Sequence, residues 1–157
     1  MVKIVNNPKT SKIEGVRIVP LAQISDERGS LPHMIRKEEG SLCEFGEIYF
    51  SEVLPWKIKA WKRHKKMTQN FAVPFGQIKL AFYDDREHSK SKGKIETLVL
   101  GRPGNYYLVQ VPPLLWYGFQ GTSSTPSILA NCADMVHEPE ESESHDYTSS
   151  DFPFLWE

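Results

Sequence analysis

The sequence predicts an all-β fold of the sandwich or barrel type. Short segments rich in β-branched and aromatic residues recur along the chain, and glycine, proline, aspartate or asparagine separates them. No stretch of a dozen residues keeps the apolar spacing of an amphipathic helix. Proline is frequent enough to interrupt most helical candidates.

Nine segments have the composition of strands. They are residues 16–20, 47–53, 57–64, 70–73, 77–83, 95–100, 106–111, 116–120 and 127–131. Residues 137–150 are acidic and poor in apolar side chains, so we expect them to run over the surface. The apolar segment 152–156 then predicts a return of the chain onto the barrel or onto a second subunit.

Composition sets limits on the class of protein. The 157 residues are 39% hydrophobic and 25% charged, which predicts one domain spanning residues 1–157. The net charge of -1 gives no overall attraction to nucleic acid or to acidic membranes. Cys43 and Cys132 form no CxxC pair, and the amino-terminal residues lack the apolar core of a signal peptide. These observations favour a cytoplasmic protein without a membrane anchor.

Several short motifs occur in a consistent order. They are Ser-Asp-Glu-Arg-Gly-Ser-Leu at residues 25–31, His-Lys-Lys-Met-Thr-Gln at 64–69 followed by Gly76, Tyr-Asp-Asp-Arg at 83–86, Leu-Gly-Arg-Pro at 100–103 and Val-Pro-Pro at 111–113. Together they resemble the cupin superfamily, in the branch that includes dTDP-4-dehydrorhamnose 3,5-epimerase and the dTDP-sugar 3,4-ketoisomerases. The resemblance implies a cupin-type double-stranded β-helix, or jelly-roll barrel, that forms a homodimer and takes a sugar nucleotide as its small-molecule substrate.

The resemblance also implies that the metal site of other cupins has been lost. Where metal-binding cupins have two histidines, a glutamate and a further histidine, this chain has Lys62, His64, Gln69 and Tyr117. Zinc and iron require three or more histidine, cysteine or carboxylate ligands, so we expect no metal and no cofactor. A metal-dependent dioxygenase or isomerase would need ligands that these positions do not offer.

The same four side chains suit proton transfer next to a ketone. His64 is the candidate base, and Lys62, two positions away on one strand face, would lower its pKa and polarise the ketone. Gln69 could donate a hydrogen bond to the enolate, and Tyr117 could act as the general acid. The alternatives are a polar strand residue for His64, a backbone partner for Gln69 and wall packing for Tyr117.

The tyrosine of the epimerases would fall near residues 132–137, and this chain has none there. The weaker candidates come from the tail and are Tyr147, His137 and Asp151. By analogy with an aspartate of the epimerases, Asp151 could orient His64.

A basic segment predicts an anionic ligand. Six lysines and arginines occur among the ten residues 57–66. A nucleotide diphosphate suits such a cluster, and Arg28, Arg63 and Lys66 are its candidate contacts. Trp61 could stack on the base, and His33 stands where the family has an acidic residue. The alternative is a solvated strand face balanced by the acidic tail of a partner subunit. No nucleic-acid-binding motif accompanies the cluster.

The predicted function is metal-independent epimerisation or keto-isomerisation of a nucleotide-linked 4-keto-6-deoxyhexose. The alternative is a cupin without catalysis that binds a sugar nucleotide or carbohydrate. Both predict ligand binding, so exchange of ring protons with solvent is the property that separates them.

Overall fold

The computed structural model describes residues 1–37 and 44–157, and Cys43 lies outside these ranges. Thirteen strands are present there: β1 Val2–Val5, β2 Arg17–Pro20, β3 Ala22–Asp26, β4 Gly29–Pro32, β5 Glu47–Val53, β6 Ile58–His64, β7 Gln69–Phe75, β8 Gln77–Tyr83, β9 Ile95–Gly101, β10 Tyr107–Val111, β11 Trp116–Gly121, β12 Ser127–Ala133 and β13 Ser142–Ser144. A 3-10 helix spans Pro139–Glu141. None of the helices in these ranges has the length and apolarity needed to cross a bilayer.

Two five-stranded antiparallel sheets form the barrel. One has the strand order β2-β10-β7-β12-β5 and the other has the order β13-β6-β11-β8-β9. Their inner faces share one apolar core, to which Phe71 and Val109 contribute from the first sheet and Leu80 and Phe119 from the second. A three-stranded sheet of order β1-β3-β4 lies beside them. This is the predicted cupin-type jelly roll.

All nine predicted strands are present, and β5 and β8 match the sequence expectation at both ends. Strands β1, β3, β4 and β13 were not predicted. Strand β1 is exposed at every position, so its side chains show no alternation between a buried and an exposed face. Strand β4 is also exposed at its first three residues. Strands β1 and β4 therefore lack the alternation of buried and exposed residues by which a half-buried strand is recognised.

The carboxyl-terminal segment packs on the outer face of the second sheet, as expected. Phe152 stacks on Trp61 with ring centroids 4.6 Å apart and an interplanar angle of 12°. Phe154 and Trp156 also pack against Trp61. Gly118 makes room for this cover, because a Cβ atom there would lie 2.3 Å from Ala60 Cβ and 2.9 Å from Trp156 Cζ2.

Replacing Phe152 with alanine should destabilise the fold. The side chain is buried, and truncating a buried phenylalanine costs about 3 kcal/mol through lost apolar contact and the cavity left behind. Equilibrium urea unfolding of the wild type and the variant measures this difference.

Leu155→Ala provides the matched control in the same segment. Leu155 is 90% exposed, so its truncation should change the free energy of unfolding by less than about 0.5 kcal/mol. Equal effects of the two substitutions would contradict the packing described here.

Candidate functional site

A cavity of about 300 Å³ opens between the two sheets. This volume lies at the lower end of the range of about 300–1,000 Å³ that is usual for ligand pockets. Its inner wall is apolar and includes Phe71, Phe119 and Leu129. Its polar groups come from both sheets and are those of Tyr49, Ser51, Lys59, Lys62, Tyr117 and Ser144. An apolar cavity with a few polar groups is typical of a small-molecule site.

Strand pairing brings Lys62 and Tyr117 to one wall of the cavity. Lys62 on β6 and Tyr117 on β11 are directly opposed in the antiparallel register, so their side chains share a face. Both line the cavity, as the sequence analysis expected of groups that act together.

His64 lies behind Tyr117. The imidazole is 2% exposed, and its Nε2 atom is 3.2 Å from the Tyr117 hydroxyl. Its Nδ1 atom is 2.5 Å from Oε2 of Glu141. Tyr117 lines the cavity, whereas His64 is not part of the lining. The three side chains therefore form a chain of hydrogen bonds that runs from a buried carboxylate to the cavity wall.

The tail supplies Glu141 by adding a strand to the sheet. Strand β13 pairs with the edge of β6, with Ser142 opposite His64, and Glu141 immediately precedes that pair. Oε1 of Glu141 accepts hydrogen bonds from the backbone amides of Lys66 at 2.6 Å and Met67 at 2.9 Å. With Oε2 on His64, both carboxylate oxygens have partners although the side chain is buried.

The surroundings favour a neutral imidazole beside an ionised carboxylate. Burial lowers the pKa of His64; Glu141 opposes this shift, and Lys62 adds to it. The predicted effect of Lys62 on the imidazole thus has the expected sign but is smaller than that of burial. Burial works to raise the pKa of Glu141, but the amides of Lys66 and Met67 and the His64 ring outweigh it and hold that pKa below its ordinary value.

These pKa shifts assign the protons. Because Glu141 is an acceptor, the neutral ring carries its hydrogen on Nδ1 and leaves the lone pair of Nε2 to accept from Tyr117. The Tyr117 oxygen then presents its lone pairs to the cavity. Burial raises the pKa of Tyr117 far above its usual value, so a free phenolate there is strongly disfavoured.

A second polar group lies on the first sheet. Strand β5 presents Tyr49, whose hydroxyl accepts a hydrogen bond from Asn131 Nδ2 at 2.8 Å. Oε1 of Gln69 lies 3.4 Å from the same hydroxyl and also accepts from Asn131. The nitrogen of the Gln69 amide donates to Met67 Sδ at 3.0 Å. The amide of Gln69 is therefore engaged within the protein and does not line the cavity, contrary to its expected role as an enolate donor.

Three sequence-based assignments are corrected. Asp151 does not orient His64, because it is exposed and pairs with His145 at 3.3 Å. Arg63 points to the outer face, where it binds Asp85 and Glu143, so it does not reach the cavity.

Trp61 lines the cavity, but it is 1% exposed and Phe152 stacks on its ring, so it does not offer a stacking face to a base.

The remaining substrate-binding candidates do not line this cavity. Lys66 follows β6 with an exposed side chain and contributes its backbone amide to Glu141. Arg28 is on the turn between β3 and β4, where it pairs with Asp26 at 2.7 Å. His33 follows β4 and donates its backbone amide to Ala22. Arg28 and His33 thus belong to the three-stranded sheet.

In the part of the chain that the structure describes, no group of three or more histidine, cysteine, aspartate or glutamate side chains is arranged to hold a metal ion.

Sequence reasoning missed Glu141 and Tyr49. Glu141 stands in a run of acidic residues that has the composition of a solvated surface, and it lies 77 positions from its histidine partner. The apolar segment 152–156 that follows Glu141 could have indicated its role, because a tail that docks on a sheet can also pair with an edge strand of that sheet. Tyr49 lies in a strand whose outer residues Ile48 and Phe50 are also apolar, so alternation does not tell which face is buried.

Comparison with known proteins gives relatives over most of the chain, although no family model matches it. The chain is 48% identical to a dTDP sugar isomerase from Desulfovibrio desulfuricans G20, with 92% of each chain covered and a TM-score of 0.90. It is 30% identical over 129 residues to the spore coat polysaccharide biosynthesis protein SpsL of Bacillus subtilis strain 168, which covers 82% of this chain and 85% of SpsL.

A third relative is the probable low-salt glycan biosynthesis epimerase Agl13 of Haloferax volcanii. It is 30% identical over 131 residues, which cover 82% of this chain and 83% of Agl13. Identity at this level over most of both chains, on a jelly-roll barrel with a hydrogen-bonded chain of side chains beside its cavity, shows that the chain belongs to the family of sugar epimerases and isomerases represented by Agl13 and the dTDP sugar isomerase.

Proposed function

We propose that this protein is a metal-independent epimerase or keto-isomerase that acts on a nucleotide-linked 4-keto-6-deoxyhexose. The observation that carries the proposal is the hydrogen-bonded chain from Glu141 through His64 to Tyr117, which ends at an apolar cavity. The names of the related dTDP sugar isomerase and glycan biosynthesis epimerase support the substrate class. We treat the 157 residues as one domain.

In this mechanism the proton on the carbon next to the ketone is removed by Tyr117 and His64 acting together. The C–H bond breaks as its proton passes to the Tyr117 oxygen, and the original phenolic proton passes to Nε2 of His64. Coupling the two transfers avoids a free phenolate, which burial disfavours. The imidazolium that forms is stabilised by Glu141, so Glu141 is a positioning residue.

Lys62 supplies the charge that the enolate needs. Its side chain lines the cavity beside Tyr117, and an ammonium group near the ketone oxygen stabilises the negative charge that develops there. Lys59 also lines the cavity and adds positive charge for the diphosphate.

The donor set supports chemistry without a metal. Among the residues that the structure describes, the hydrogen-bonded chain beside the cavity contains one imidazole and one carboxylate, and both oxygens of that carboxylate already bind protein groups.

We further propose a homodimer in which the three-stranded sheet of one copy reaches the cavity of the other. That sheet exposes Val2, Ile4 and Leu31, and an apolar surface of this kind favours contact with another chain. Arg28 at its β3–β4 turn would then contact the diphosphate. The free thiol of Cys132 is consistent with a cytoplasmic location.

Replacing His64 with asparagine should abolish deuterium uptake. With dTDP-4-keto-6-deoxyglucose in D₂O, we expect the wild type to incorporate solvent deuterium next to the ketone, and His64→Asn to do so at least about 100-fold more slowly. Mass spectrometry of the recovered sugar measures the uptake, and calorimetry should give a similar dTDP affinity for both proteins.

His88→Asn is the matched control, because His88 is an exposed loop residue outside the cavity. Full deuterium uptake by His64→Asn would contradict the proposed mechanism. Binding of dTDP without any uptake by the wild type would instead favour a cupin that binds sugar nucleotides without catalysis.

Replacing Glu141 with glutamine should lower the rate and move the pH profile. Loss of the carboxylate removes the group that opposes the lowering of the His64 pKa, so the acidic limb of kcat/KM should move to lower pH. We expect kcat to fall by about 100-fold or more, since the imidazolium loses its counter-ion. Rates measured between pH 4.5 and about 8 test both effects.

Glu143→Gln provides the control two residues further along the chain, because Glu143 lies on β13 and pairs with Arg63 on the outer face. A Glu141→Gln variant that loses rate with an unchanged acidic limb would show that Glu141 only maintains the fold.

Replacing Arg28 with alanine tests the homodimer. Analytical ultracentrifugation should give twice the chain mass for the wild type, and Arg28→Ala should bind dTDP about tenfold more weakly because a charge-assisted phosphate contact is lost. A monomeric wild type, or unchanged affinity in a dimeric variant, would contradict this arrangement. Arg17→Ala is the control, because Arg17 is the exposed first residue of β2.

A further inference from the structure

Tyr49 is a hydroxyl group of the cavity that the proton-transfer chain does not use. It lies on β5 of the first sheet, whereas Tyr117 lies on β11 of the second, and both line the same cavity. The two hydroxyls therefore reach the cavity from walls that belong to different sheets. Burial is the main cause of the raised pKa of Tyr117, and the charge of Tyr49 adds to it.

The hydrogen bonds of Tyr49 differ from those of Tyr117. Tyr117 is bound to the imidazole that removes its proton. Tyr49 instead accepts a hydrogen bond from Asn131 Nδ2 at 2.8 Å, and among the described residues its own proton has only the distant Gln69 Oε1, at 3.4 Å, as a partner. Burial raises the pKa of Tyr49, and the Asn131 N–H on its oxygen works against this shift. A weakly held O–H is available to a ligand.

Contacts within the barrel fix this geometry. Tyr49 and Asn131 are directly opposed in the β5–β12 register. Asn131 is fully buried, and its Oδ1 accepts the backbone amide of Asn70 at 3.0 Å, so its amide group is held in place. Tyr49 itself is 37% exposed, and it lines the cavity.

We propose that Tyr49 is a second catalytic residue, the general acid that protonates the enolate carbon on the face opposite Tyr117. This inference rests on the proposed function. Inversion at carbon requires that a proton leave one face and another arrive at the opposite face, and two hydroxyls on opposing walls of one cavity meet that requirement.

The step is balanced. After the α-proton has moved to the Tyr117–His64 pair, the enolate carries the electron pair of the broken C–H bond. The O–H bond of Tyr49 breaks, and a new C–H bond forms from that pair. The resulting phenolate is stabilised by the Asn131 N–H. Water then returns a proton to Tyr49, which its exposure permits, and the imidazolium at His64 releases the proton it gained.

Tyr49→Phe in D₂O tests the assignment. With dTDP-4-keto-6-deoxyglucose, the variant should form inverted product about 100-fold more slowly, as expected on removing a general acid. Because the Tyr117–His64 pair is intact, recovered substrate should still exchange its α-proton for deuterium at a rate within about tenfold of the wild type. Chiral analysis of the product and mass spectrometry of the substrate give the two rates.

Tyr107→Phe is the matched control. Tyr107 is a buried core tyrosine whose hydroxyl donates to the Asn7 carbonyl at 3.0 Å, away from the cavity lining. The Tyr107→Phe substitution should leave the rates of inversion and of α-proton exchange unchanged. Circular dichroism and the dTDP affinity show whether each variant keeps its fold and its nucleotide site.

The outcomes separate this inference from the proposed function. A wild type that neither converts nor exchanges the sugar overturns the proposed function, and Tyr49 loses its role with it. A wild type that does both, combined with a Tyr49→Phe variant that inverts the sugar at the normal rate, overturns the role of Tyr49 alone. Equal loss of inversion and exchange in the folded variant also overturns it, since Tyr49 would then act before the proton is removed.

Discussion

The candidate site depends on one buried contact, the pairing of the Glu141 carboxylate with the His64 ring. Burying a carboxylate is costly unless its oxygens are satisfied, and here two backbone amides and the imidazole satisfy them. The contact fixes the tautomer of His64 and thereby the direction of the Tyr117 hydroxyl. It also ties the tail to the barrel, because Glu141 adjoins the strand that completes the second sheet.

The two sheets present different groups to the cavity. On the second sheet, a positive side chain and a hydrogen-bonded histidine suit removal of a proton from carbon. On the first sheet, the Tyr49 hydroxyl is held by the side-chain amides of Asn131 and Gln69, and the residue is partly exposed. A rigid antiparallel sheet fixes each set, so positioning follows from register and not from mobile loops.

The barrel could be predicted because its strands are half-buried and rich in β-branched or aromatic residues. Family resemblance then identified His64 and Tyr117, which the structure joins by a hydrogen bond. The assignments that failed were those that depended on which partners a side chain finds in the folded chain. Arg63 follows Lys62 directly, and strand alternation sends it to the outer face, where two carboxylates bind it. Glu141 could not be distinguished from its acidic neighbours, because only the pairing of β13 with β6 makes it a buried residue.

The docked tail affects which truncations the protein tolerates and where a purification tag can be attached. A premature stop codon before Phe152 would remove the aromatic cover of Trp61 while sparing every strand of the two large sheets. The backbone carbonyl of the exposed Glu157 accepts a hydrogen bond from the buried Gln120, so a purification tag fused directly after Glu157 would crowd the adjoining aromatic cover. A tag on the amino-terminal side would instead adjoin Val2 and Ile4, the exposed apolar residues of β1 that the proposed dimer buries.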